Sequence, residues 1–180
     1  MLSALAVSAT ALADSGGAGV PLPPDPAPAD GTGGAGSTPL TTPLPTAQIS
    51  RDGRTAIPPA AAPQEVKDAV YAANRITTKP YRYGGGHRRF NDTGYDCSGS
   101  VSYALRGGGL VKQPLHSTAF MSWGKAGRGQ WITVYTNSGH AYVIIAGLRF
   151  DTSGPGERGP RWRKSARSSR SYQARHPDGF

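Results

Sequence analysis

A single cysteine, Cys97, stands in a chain of 180 residues. That scarcity excludes an intramolecular disulfide framework and a thiolate cage for zinc. The lone thiol is then either a small buried hydrophobe or a reactive group. Long apolar runs are also missing. Nothing approaches the roughly 18 consecutive apolar residues of a membrane-spanning helix, so no membrane span is expected. Acidic side chains are scarce, 11 Asp and Glu against 20 Lys and Arg, which leaves a net charge of +9. What the chain has in excess is Gly (25) and Pro (16), unevenly spread, and such a surplus marks part of it as linker.

Composition divides the chain in three. Residues 1–13 form a small-residue apolar run that ends Ala11-Leu12-Ala13 before Asp14, the way a secretory signal ends, although it holds no Lys or Arg. Residues 14–63 are Ala, Gly, Pro, Thr and Ser with few large apolar side chains. Such a segment buries too little surface to offset its ordering entropy, and it reads as a disordered tether. Residues 64–180 carry most of the aromatics, all four histidines and a net charge of +11, against −2 for residues 14–63. This is the expected folded domain, exported and acting as a monomer.

Within it, Val66, Val70 and Ala73 recur at i, i+4, i+7 after Pro63 and predict a first helix over 64–74. Residues 80–95 have loop chemistry, and 97–106 read as a second helix closed by Gly107-Gly108-Gly109. Three strands are expected over 131–135, 140–145 and 148–151, with a tight turn near Gly147. Helices first and antiparallel strands after them predict an α+β domain.

Asp96-Cys97-Ser98-Gly99 opens the second helix. A cysteine there sees unsatisfied backbone N–H groups and the positive end of the helix dipole, both of which favour the thiolate. Val101, Ala104 and Leu105 share one helix face, and Cys97 lies one turn before Val101, where that face meets solvent. His140 begins an apolar strand, on the same side as Tyr142 and Ile144. A histidine at a strand mouth can meet a helix N-terminus, and a Cys–His couple activates the thiol and later returns a proton to the leaving amine. Singly, each residue also has a plain structural reading.

Tyr81-Arg82-Tyr83-Gly84-Gly85, Tyr95-Asp96-Cys97-Ser98-Gly99 and Gly139-His140-Ala141, in that order, resemble the NlpC-type cell-wall cysteine peptidases. The resemblance covers roughly residues 64–153. It implies a papain-like fold, with N-terminal helices packed on a small antiparallel sheet and a disordered leader in front. It further implies hydrolysis of peptide bonds in peptidoglycan stems, between D-glutamate and a diamino acid. Cys97 is carried over as nucleophile and His140 as general base, with Tyr81 and Ser98 as substrate-binding residues. The plain reading of Tyr81 and Tyr83 is core aromatics beside a turn. Two departures stand out: the insertion Gly86-His87-Arg88-Arg89-Phe90-Asn91, and the absence of a clear third polar residue to orient the histidine. Matching the next strand suggests Asp151. If Gly147-Leu148 is a two-residue turn, Asp151 falls opposite Ile144, on the right face but roughly 13 Å along the strand from His140, so that a bulge or a different turn must close the gap.

No metal or other cofactor is expected. His87, Cys97, His140 and Asp151 contain no closely spaced ligand pair, and His116 and His176 read as surface residues. The C-terminal stretch interleaves Arg158, Arg161, Arg163, Lys164, Arg167, Arg170 and Arg175 with Trp162 and Tyr172. It reads either as a solvated basic tail or as an attachment to anionic cell-wall polymers, by attraction that weakens with salt. Nucleic acid is the lesser candidate partner. The rival functions are a catalytically silent wall-binding module of the same fold and a basic nucleic-acid binder.

Overall fold

The computed structural model describes residues 43–156, 158–164 and 167–180. The export segment expected over 1–13, and the tether as far as position 42, lie outside the described residues. Helix α1 (Gln64–Ile76) begins after Pro63 and buries Val66, Ala69, Val70, Ala72, Ala73 and Ile76, the stripe that its periodicity predicts. Helix α2 (Cys97–Gly107) packs against it and buries Val101, Ala104 and Leu105 completely. Full burial of Val101 and of Leu105 contributes about 1.5–3 kcal/mol of hydrophobic stabilisation each. A short helix, α3 (Ser117–Phe120), brings the fully buried Phe120 to the edge of the core.

Two short strands, β1 (Gln48–Ile49) and β2 (Ala56–Ile57), precede α1, and the helices pack on a separate six-stranded antiparallel sheet in the order β3-β8-β4-β5-β6-β7. Its strands are β3 (Lys125–Ala126), β4 (Ile132–Thr136), β5 (Ala141–Ile145), β6 (Leu148–Asp151), β7 (Arg161–Arg163) and β8 (Gln173–His176). The three central strands lie within a residue of the expected ones. Alternation sends Ala141, Val143 and Ile145 of β5 into the core with Ile132 and Val134 of β4, all of them fully buried. Tyr142 and Ile144 occupy the opposite face.

Two expectations are corrected. The turn between β5 and β6 is Ala146-Gly147, with Ile145 paired to Leu148, in place of Gly147-Leu148. Both turn residues have positive φ, 46° and 75°, which suits the tight two-residue hairpin that matches strand twist. This moves the register by two residues, and Asp151 projects opposite Tyr142 instead of Ile144. Secondly, the chain is built into the domain well before position 64. A two-stranded hairpin of Gln48–Ile49 and Ala56–Ile57 precedes α1, and Ala47, Ala56 and Ala62 are buried. Asn74 of α1 donates to the Ala56 carbonyl (2.9 Å) and accepts from the Ala56 N–H (2.8 Å) and the Trp162 indole (2.7 Å). Composition hides this hairpin because its partners are distant and its buried side chains are no larger than alanine.

The basic C-terminal stretch is likewise part of the sheet. Trp162 of β7 is buried against Phe150, ring centroids 4.9 Å apart, and β8 lies between β3 and β4. Among the described residues no helix is long and apolar enough to cross a membrane.

Candidate active site

Cys97 occupies the first turn of α2, and Asp96 caps it. The Asp96 carboxylate accepts from the Gly99 N–H (2.7 Å), the Gly84 N–H (3.1 Å) and His87 Nε2 (2.8 Å). An N-cap of this kind is worth about 1 kcal/mol. Burial alone pushes the Asp96 carboxyl up, and the bonds from His87, Gly99 and Gly84 outweigh it and hold it below the usual carboxylate value. The turn is also tied down from outside. Asp96 N–H donates to the Gly85 carbonyl (3.2 Å), and a Cβ on Gly99 would lie 2.0 Å from that same oxygen. Only glycine at position 99 permits so close an approach.

His140 sits just before β5, held by its N–H to the Asn137 side chain (2.9 Å). Its Nε2 lies 2.9 Å from Asp151 Oδ1 and 3.3 Å from Ser153 Oγ. With Nε2 so engaged, Nδ1 is the ring nitrogen left to face Cys97, whose thiolate favours the protonated ring. Burial lowers the proton affinity of His140, but Asp151 and Cys97 more than reverse this and push its pKa up to about 9. Burial likewise works against the Cys97 thiolate, and hydrogen bonds from His140 and the Ala141 N–H draw the thiol below its ordinary value. The two shifts favour thiolate paired with imidazolium at neutral pH.

Asp151 is fully buried. Desolvation would raise its pKa, yet the bonds from His140 and the Ser153 N–H (2.9 Å), with the charge of Arg167, keep it low and ionised. The corrected β5–β6 register is what brings it to His140.

Tyr81 reaches the site through a bridge to Tyr95, two residues before Cys97. Burial pushes its phenol up, and the negative charges of Cys97 and Asp96 add to that rise. Tyr81 is 42% and Tyr83 92% exposed, so neither is a core aromatic. A cavity of about 400 Å³ opens between Tyr81, His140, Thr152, Ser153, Gly154 and Arg158. Ser98, expected to touch substrate, is 3% exposed and outside that lining. Its hydroxyl faces His87 Nε2 (3.2 Å) and Asp96 (3.4 Å) instead.

The insertion turns His87 inward onto Asp96 and stacks it on His116 at 4.3 Å. Arg88 and Arg89 line a separate hollow with Arg82. Among the described residues no group of three or more His, Cys, Asp or Glu side chains is placed to hold a metal. Sequence reasoning missed Ser153 and Arg167 as neighbours of the carboxylate, and missed His87 as support for the cap. No motif marks the turns that bring Ser153 to Asp151 or His87 to Asp96, close as they are in sequence, and Arg167 arrives only when a segment beyond β7 returns to the sheet.

No protein-family profile and no curated protein sequence matches the chain. Among solved structures it is similar to RipA, a resuscitation promoting factor interacting protein solved with a mutated cysteine and with a mutated histidine. In each case identity is 21% over 75% of this chain and 70% of that one, with a TM-score of 0.48. It is similar also to the peptidoglycan hydrolase RipB of Mycobacterium tuberculosis, at 22% identity over 66% and 68% of the two chains and a TM-score of 0.47. The P60 domain of an M. avium subspecies paratuberculosis antigen matches at 19% over 62% and 94%, with a TM-score of 0.45.

Proposed function

We propose that this protein is a cysteine peptidase of the NlpC type, acting outside the cell on peptide bonds of peptidoglycan stems. The observation that carries the chemistry is one imidazole held between a helix-start thiol and a buried carboxylate. The substrate class rests on the likeness of the Tyr81–Gly85, Tyr95–Gly99 and Gly139–Ala141 segments to that family.

Cys97 thiolate attacks the carbonyl carbon, and the oxyanion is received by the Cys97 N–H and the Tyr81 hydroxyl. His140, protonated in the resting pair, gives its proton to the departing amine. It then draws a proton from water as that water attacks the thioester, releasing the acid and restoring the thiol pair. Asp151 fixes the ring so that Nε2 carries a proton and Nδ1 faces sulfur. Ser98 supports the Asp96 cap, and the cavity beside His140 receives the peptide.

Digestion of purified muropeptides, followed by mass, tests the reading. Cys97→Ala and His140→Ala are each expected to abolish release of stem fragments while the protein still melts cooperatively. Undiminished turnover by folded Cys97→Ala protein rules the mechanism out. The pH profile has a definite shape. Activity holds at neutral pH, because the thiol is lowered and the imidazole raised, and falls as pH passes about 9 and His140 loses its proton. A decline centred near 6.5, the ordinary imidazole value, contradicts the pair. The same group stabilises the fold fully below 6.5, and that contribution is lost as pH rises through about 9.

A further inference from the structure

Behind the carboxylate lies a cation that the proposed mechanism leaves idle. Asp151 turns Oδ1 to His140 and Oδ2 to Arg167, whose Nη1 is 3.2 Å away. The same guanidinium also donates to Ser153 Oγ and, through Nη2, to the Tyr172 hydroxyl (2.8 Å). Its planar head lies 5.5 Å from the Tyr142 ring centroid and 5.4 Å from that of Tyr172, near enough for cation–π attraction to both. Five contacts from three segments of chain fix one side chain, far more than a solvated arginine makes.

We propose that Arg167 is a positioning residue of the catalytic centre, which acts through Asp151 by holding its outer oxygen and cancelling part of its charge. The inference rests on the catalytic reading above. A buried carboxylate with less counter-charge would bind the imidazolium proton more firmly, and His140 would protonate a leaving amine less readily. A general acid works best when its proton affinity lies near the working pH. Arg167 trims the pull of Asp151 while keeping the carboxylate ionised.

The other charged and titratable groups around the pair are few. His140 faces Cys97 from α2, Asp151 from β6, Tyr142 from β5, Tyr172 from the approach to β8, and Tyr81 and Arg158 across the cavity. Asp151 faces Arg149 at 3.8 Å as well, and Arg163 lies within range of its charge. Tyr142 is pushed up to about 12 and stays neutral through the working range. In the absence of Arg167, Asp151 keeps the Ser153 N–H, the His140 ring and the Arg149 charge, so the carboxylate stays in place and what it loses is part of its counter-charge.

The test is the titration of the His140 ring in the full chain, followed by NMR of histidine-labelled protein and assigned with His140→Gln. Arg167→Met is expected to raise the pH at which that ring titrates by about half a pH unit or more. Arg167→Gln keeps an amide able to reach Asp151, preserves folding if the apolar variant does not, and should shift the ring the same way. Arg167→Lys restores the charge and should return the titration to that of the unaltered protein, a rescue that a merely structural role does not predict. An unchanged or lowered titration in the Met or Gln variants overturns the role of Arg167 alone. An ordinary titration near 6.5 in the unaltered protein overturns the thiol–imidazole–carboxylate reading itself.

Discussion

The thiol of Cys97 and the imidazole of His140 sit on halves of the domain built in different ways. The helical half, α1, α2 and the loop between them, is assembled from neighbours in sequence: Asp96 caps Gly99, Gly85 meets Asp96, and Tyr81 meets Tyr95. The sheet half is assembled from strangers, since Asp151 of β6 is held by His140 before β5 and by Arg167 from beyond β7. In the first half the local chain places the thiol. In the second, strand register and a returning C-terminal segment place the histidine and its carboxylate.

The sharpest way to break this comparison is to damage the sheet half alone. Asp151→Asn keeps the shape but removes the counter-charge from His140, Arg149 and Arg167. Losing one partner of a buried ionic group typically costs about 3–5 kcal/mol. We expect a large drop in denaturation midpoint, and a loss of muropeptide turnover of about a hundredfold or more in whatever remains folded. Full activity in that variant would detach Asp151 from the chemistry.

A smaller effect is expected from the helical half. Gly99→Ala drives a Cβ to 2.0 Å from the Gly85 carbonyl, so the loop or the first turn must move, at about 1–3 kcal/mol. Because that turn carries Cys97, alkylation of the thiol at neutral pH should slow in the same variant, while His140 and Asp151 keep their contact. Alkylation as fast as in the unaltered protein would show that the close approach does not position the sulfur.

The mildest perturbation falls on the seam between the halves. Trp162→Phe deletes the indole donor to Asn74 and leaves the ring against Phe150, which should cost about 0.5–1.5 kcal/mol in unfolding experiments. Activity should hold. A large loss of turnover would mean that α1 and β7 act on the site together.

How far the sequence could be read follows the same division. The stripe of α1, the capped start of α2 and the alternation of β4–β6 were legible because helix and strand periods and an N-cap are written in adjacent residues. The hairpin of residues 48–57 was not, since it looks like tether until Asn74 and Trp162 come to meet it. Arg167 looked like one charge in a basic tail. Asp151 lay between these cases: its strand and face were evident, but a one-residue shift of the turn, from Gly147-Leu148 to Ala146-Gly147, decided whether it could touch His140 at all.

The sequence by itself therefore determined that the single thiol stands at a capped helix start, because helix-start chemistry acts over three or four residues. It also determined that a histidine opens a core strand. Only the tertiary structure decided which carboxylate faces that histidine, which arginine backs it, and that Ser98 turns inward to the cap. Those choices depend on register and on segments that close long loops, and no short stretch of chain encodes the distance between its ends.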